Sequence, residues 1–125
     1  MGLLTKIIAS DENMKLMKTL DDAWNTHDWK TFNERHADDV IIRWLGQPPT
    51  LGIEADQKEG EYFFKAFHDN HIENNPYKIL FGQADWTCSV AELAGTHKGP
   101  MMGLDGNTIQ ATNKSFKINF CTVAH

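Results

Sequence analysis

A chain of 125 residues with 41% hydrophobic and 23% charged side chains has the composition of one soluble globular domain, long enough to bury a real core. Its formal net charge is −5 and its sequence pI about 5.6, with Lys and Arg scattered along the chain. That pattern excludes the clustered basic footprint that nucleic-acid binding needs.

The opening stretch, MGLLTKIIASDENM, is too short and too interrupted for a signal h-region or a membrane span. MGLLTK has the outline of a myristoylation start, but Lys6 stands where that motif wants Ser or Thr. No membrane partner is expected, and the protein is read as cytoplasmic. Residues 11 to 25, DENMKLMKTLDDAWN, place Met14, Met17, Leu20 and Trp24 at helical spacing, with Ser10 or Asp11 as the expected cap. Asn25-Thr26-His27 breaks that helix. DWKTFNERH then reads as a second, short helix with Trp29 and Phe32 on one side.

A strand is expected from about Val40 to Leu45, ended by Gly46 and the Pro48-Pro49 pair. Residues 53 to 67 predict a third helix, with Ile53, Tyr62, Phe63, Phe64 and Phe67 on its buried face and Gly60 as a weak point inside it. HDNHIENNP reads as a helix exit and loop. Strand-like runs follow in YKILFG, DWTCSVAELAGTH and KSFKINFCTVA, joined by a turn near Gln83-Ala84 and a long loop from Gly99 to Asn113. Helices first and antiparallel strands afterwards make the class α+β, with the helices packed on one face of a curved sheet and a cavity between the layers.

The residues that could carry chemistry are few. Cys88 and Cys121 lack CxxC spacing and read as small buried hydrophobes rather than a disulfide. His68 and His71 have HxxH spacing, but their segment does not read as a helix and no third ligand is evident, so no metal is assigned. No Gly-rich phosphate loop follows a strand, and no Ser-His-Asp or Cys-His arrangement is apparent. His97 stands out, at the end of a strand and before a Gly-, Pro- and Met-rich loop. Strand alternation puts Ser89, Ala91, Leu93, Gly95 and His97 on one face, where small side chains leave space for a ligand.

The order and spacing of LDDAWNTHDW, HADDVIIRW, GIEADQKEGEYFFKAFHDNH and GQADWTCSVAELAGTHKGPMMGL resemble the SnoaL-like polyketide (ester) cyclase family, of the nuclear transport factor 2-like superfamily. GTHKGPMMGL is the most specific piece. The resemblance spans roughly residues 12 to 125 as one domain. It implies a cone-shaped α+β barrel whose N-terminal helices pack on a curved, mainly antiparallel sheet enclosing an apolar pocket, and usually a homodimer. It also implies intramolecular aldol ring closure on an apolar or weakly polar small molecule, without metal or cofactor.

Carried over residue by residue, the resemblance points His97 into the pocket as acid/base. It sets the family's second acid/base, an Asp on the later strand, at Thr122. A hydroxyl there can donate a hydrogen bond but cannot act as a base near pH 7. No Asp or Glu occurs from Gly106 to His125. Trp44, Phe63, Phe67 and Trp86 are candidate pocket walls. Leu93 and Phe120 join them, with Met101 and Met102 as an adaptable lid.

Asp85 and Asp105 are the nearby acids that a His–Asp pair would require, and Asn119 is expected on the opposite strand face from Thr122. The family's closing Gly-Lys-Ile-like strand has no counterpart in NFCTVAH, so a missing final strand and an unpaired sheet edge are expected. The reading that competes with the cyclase is a non-catalytic small-molecule binding module of the same fold.

Overall fold

A computed structural model of the chain describes residues 3–125, with side chains from Ser10 onward. Met1 and Gly2, and with them the start of MGLLTK, lie outside the described residues. Helix α1 runs over Leu3–Asn25, well before the expected start. Ser10 therefore caps nothing. It lies inside the helix, buried, and its Oγ donates to the Ala84 carbonyl at 2.9 Å. The preceding LLTKIIA contains no breaker, so the helix continues backward through it.

Helix α2 (Trp29–Glu34) is capped by Asp28, whose carboxylate accepts from the Thr31 N–H at 3.1 Å. Helix α3 covers Ile53–Ala66. The three helices meet through aromatic rings. Trp24 of α1 contacts Trp29 and Phe32 at centroid distances of 6.1 Å, and Phe64 of α3 at 4.8 Å. Gly60 is explained by this packing: a Cβ there would meet the Trp29 and Trp24 rings at 2.8 and 2.9 Å. The helix gives up some propensity at that position so that two indoles can approach its backbone.

The expected strand from Val40 to Leu45 shrinks to β1 (Ile41–Ile42), paired with β2 (Thr50–Leu51). Pro48 and Pro49 have no N–H to extend the ladder, so the hairpin stays two residues deep. Part of the expected exit loop is instead strand β3 (His71–Glu73), followed by β4 (Ile79–Gln83) and β5 (Trp86–Thr96). The long loop from Gly99 holds a small hairpin, β6 (Met101–Met102) with β7 (Thr108–Ile109), and β8 covers Ser115–Ala124.

Strand β5 is the centre of the main sheet. It pairs antiparallel with β3 and β4 along one edge and with β8 along the other, over ten residue pairs from Thr87↔Ala124 to Thr96↔Ser115. Burial alternates strictly along β5: Thr87, Ser89, Ala91, Leu93, Gly95 and His97 are buried and their neighbours are not. The buried face holds the cluster Ile72, Ala91 and Leu93, against which Trp24, Tyr77, Phe116 and Phe120 pack. Helix α1 lies over this face. The chain thus has the expected α+β cone fold, with its helices on one side of a mainly antiparallel sheet, and the sheet stays open at four strands rather than closing into a barrel.

Candidate functional site

Strand alternation delivers His97 to the helix-covered side of the sheet, 6% exposed. Its backbone continues the ladder beyond β5: its N–H donates to the Lys114 carbonyl at 2.9 Å, and its carbonyl accepts from Asn113 at 2.9 Å. The ring lies 5.4 Å from the Phe67 ring. Phe67 in turn packs on Phe63 at 4.9 Å and edge-on against Phe116 at 5.2 Å. Nδ1 is 3.0 Å from Thr112 Oγ1 and accepts the Thr112 N–H at 3.3 Å. Nε2 is buried without a hydrogen-bond partner.

The other expected site residues fall into four places. Leu93 is part of the buried cluster, next to the row that carries Phe116. Phe120, opposite Ala91 in the ladder, carries Trp44 at 6.0 Å, so these two form a second aromatic contact further along the same face. Met101 is half-buried and Met102 exposed in the β6–β7 hairpin, and this segment is docked on α3. The Lys98 and Gly99 N–H groups donate to Ala66 O at 3.0 and 3.1 Å, and the Met102 N–H donates to Tyr62 Oη at 2.7 Å. Trp86 does not join them. Its even position in β5 turns it to the opposite sheet face, where it is exposed and stacks on His125 at 4.4 Å.

Thr122 is on the same face as His97, directly opposite Ser89. Ser89 and His97 are eight residues apart on one strand, so Thr122 and His97 are separated by about 26 Å along the ladder. A shared face is not a shared site, and these two side chains cannot act on one pair of reacting atoms. Asn119 is on the outer face, opposite Glu92, and accepts from Lys78 Nζ at 2.7 Å.

Nor does either nearby acid pair with His97. Asp85 contacts His125 at 2.8 Å, and Asp105 is folded onto its own turn by the Asn107 N–H and side-chain amide, each at 3.0 Å. The carboxylate that does meet an inner histidine is Asp56, 3.6 Å from His36 Nε2. Burial pushes its carboxyl up, and the charge of His36 pulls it back down in part. Asp56 lies ten residues before Ala66 in α3, about 15 Å from the end that docks the Met segment, and ties α3 to the end of α2. A signal for it existed: Ile53, Asp56, Gly60 and Phe63 fall on one helical stripe, and a carboxylate on a buried stripe needs a partner. Thr112 had no such signal, because only the loop path brings it to His97.

The outer face differs from the expectation in two ways. Cys88 is half-buried and Cys121 exposed there, with their sulfurs 4.0 Å apart, so they are not buried hydrophobes. Their strand positions share the outward parity of Trp86. In addition, a groove of about 340 Å³ runs past Asp69, His71, Ala94, Thr96, Phe116 and Lys117 at the end of the sheet, and it is open to solvent rather than the enclosure expected between the layers. No helix among the described residues is long and apolar enough to cross a membrane.

Comparison with known proteins places this arrangement. Among solved structures, a candidate SnoaL-like polyketide cyclase of Jannaschia sp. CCS1 is similar with a TM-score of 0.78 at 16% identity, over 91% of this chain and 76% of that one. A candidate polyketide cyclase of Xanthomonas campestris pv. campestris gives 0.78 at 13% identity, over 92% and 81%. An LEH-like epoxide hydrolase of M. tuberculosis gives 0.66 at 10% identity, over 91% and 72%. At these identities the likeness concerns the fold alone. No curated protein matches the chain. The family model of the SnoaL-like polyketide cyclases matches residues 14–125, and the chain belongs to that family.

Proposed function

We propose that the protein is a polyketide or ester cyclase that closes a ring by an intramolecular aldol-type step, using neither metal nor cofactor, with His97 as its acid–base residue. The observation that carries this reading is the buried imidazole at the aromatic end of the sheet, with one ring nitrogen left without a protein partner. An aldol closure needs an activated carbon to lose a proton and an oxygen to be steadied as charge develops on it. An imidazole in a dry, aromatic setting suits either task. Phe67 and Leu93 would wall an apolar or weakly polar substrate beside His97, with Met101 and Met102 toward that end and with Phe120 and Trp44 about 20 Å further along the same face.

The test is deuterium exchange into a panel of β-keto esters in heavy water at pH 7, comparing the protein with His97→Ala. Exchange above buffer that vanishes in the variant supports the cyclase, and equal exchange in both overturns the role of His97. One observation favours the second reading, a binding module of the same fold: among the described residues no carboxylate hydrogen-bonds His97. Uptake of panel members without any exchange would decide for that reading.

A homodimer belongs to this proposal. Ile79, Phe81, Trp86 and Val123, each more than half exposed, form an apolar strip on the outer face that a second copy would cover. Light scattering at micromolar concentration should give twice the 14.2 kDa of one chain, and a monomer would count against it.

A further inference from the structure

The two nitrogens of the His97 ring are in different situations, and the difference decides which of them carries the hydrogen. A backbone N–H can only donate, and the Thr112 N–H points to Nδ1 at 3.3 Å. Nδ1 therefore presents its lone pair, and in the neutral ring the hydrogen is on Nε2. Thr112 Oγ1, 3.0 Å from the same nitrogen, must then turn its own hydrogen toward it. The same oxygen accepts the Lys114 N–H at 3.3 Å, which holds the hydroxyl in place. The backbone N–H of Thr112 so fixes the tautomer, and its hydroxyl follows.

The opposite nitrogen is left over. A buried N–H without an acceptor is costly, and most such groups in folded proteins have found one. Here the donor is on the same strand face as Leu93 and beside Phe67. An oxygen supplied from outside the chain would satisfy it. To place the hydrogen on Nδ1 instead would lose the Thr112 N–H hydrogen bond, while the Thr112 hydroxyl would turn to accept.

Resting on the reading of His97 as the acid–base residue, we propose that it works as a hydrogen-bond donor through Nε2–H, with Thr112 as the positioning residue that holds this tautomer. The ligand class follows: a molecule that presents a carbonyl or enolate oxygen at this end of the sheet. Nε2 is sealed in the unliganded chain, so that oxygen reaches it only when neighbouring side chains give way. Donation to the carbonyl acidifies the adjacent C–H, whose proton passes to solvent water and is replaced by a deuteron from heavy water when the enolate is reprotonated. His97 so promotes exchange as the hydrogen-bonding acid without itself taking the proton.

The test uses the full chain labelled with ¹⁵N, with His97→Gln to assign the ring signals. At pH 7.5 the long-range proton–nitrogen spectrum should show Nδ1 as the bare, pyridine-type nitrogen and Nε2 as the protonated one. Thr112→Pro, at an exposed position, removes the backbone N–H together with the hydroxyl and should mix the two patterns and slow exchange into ethyl acetoacetate several-fold, whereas Thr112→Ser, which keeps both groups, should match the parent. A protonated Nδ1 in the unaltered protein overturns the proposal, as does a Thr112→Pro spectrum identical to the parent. Ethyl acetoacetate at millimolar concentration should shift the Nε2 resonance, and an unmoved resonance overturns the ligand class. Absence of exchange in every variant would sink the cyclase reading alone, because the ring spectra still decide the tautomer.

Discussion

The two ends of the β5–β8 ladder carry the two residues in which the family's chemistry was expected, and they are unlike. At the His97 end, one imidazole is enclosed by Phe67, fixed by Thr112, and adjoined by a Met-bearing segment docked on α3. At the Thr122 end the ladder closes with Thr87↔Ala124, beside an exposed Trp86–His125 stack and a helix anchored through Ser10. Both ends present side chains to the same sheet face. Only one has the buried, partly unpartnered polar group that a ligand could complete. Parity along a strand sorts residues by face, whereas position along it decides which of them can meet.

The sharpest way to break this contrast is to truncate each residue. His97→Ala should abolish β-keto ester exchange, while Thr122→Ala should leave it within about twofold, because about 26 Å of strand separates them. Loss of exchange in both variants would mean that the two ends act as one site.

A smaller effect concerns the docked segment. A Cβ on Gly99 would lie 1.9 Å from the Lys65 carbonyl oxygen, a backbone atom that cannot swing aside. Gly99→Ala should therefore lower stability by about 1–3 kcal/mol in urea denaturation, through overpacking at the His97 end. An unchanged midpoint would show that the segment is not held against α3 as described.

The smallest effect tests the frame that both ends share. Asp21 of α1 accepts from Tyr77 Oη at 2.5 Å, and burial pushes its carboxyl from 3.8 up to about 6, with the Tyr77 hydrogen bond partly opposing. A folded value above the unfolded one means that the folded chain binds more protons between pH 4 and 6. Stability should accordingly fall as pH rises through that window, with the full penalty present by pH 7. Asp21→Asn, which keeps a neutral acceptor for Tyr77, should flatten this slope in thermal melts at pH 4.5, 6 and 7.5. A parent slope of opposite sign would refute the assignment.

Much of the fold was legible because its signals are local. Alternation in DWTCSVAELAGTH identified the inner face of β5 residue by residue, and helical spacing identified α3 almost to its ends. The reading failed where a non-local partner decided the outcome. Ser10 looked like a cap because a cap is judged from its neighbours, yet the helix passes through it and the side chain serves Ala84, 74 residues away. Trp86 looked like a pocket wall by composition, but its parity sends it outward. His71 looked like loop because β3 is only three residues long and exists through pairing with β5.

For the site, the amino-acid sequence by itself determined the family, the α+β order of elements and the face to which His97 turns. Each follows from a period of two or 3.6 residues that can be counted along the chain. The tertiary structure alone decided that Thr112 is the neighbour of Nδ1, that Thr122 is out of reach, and that Asp85 and Asp105 are committed elsewhere. These depend on ladder register and on the path of the loop from Gly99 to Asn113. Many compact arrangements of loop and strand would satisfy the same hydrophobic pattern, and only the packed chain selects one of them.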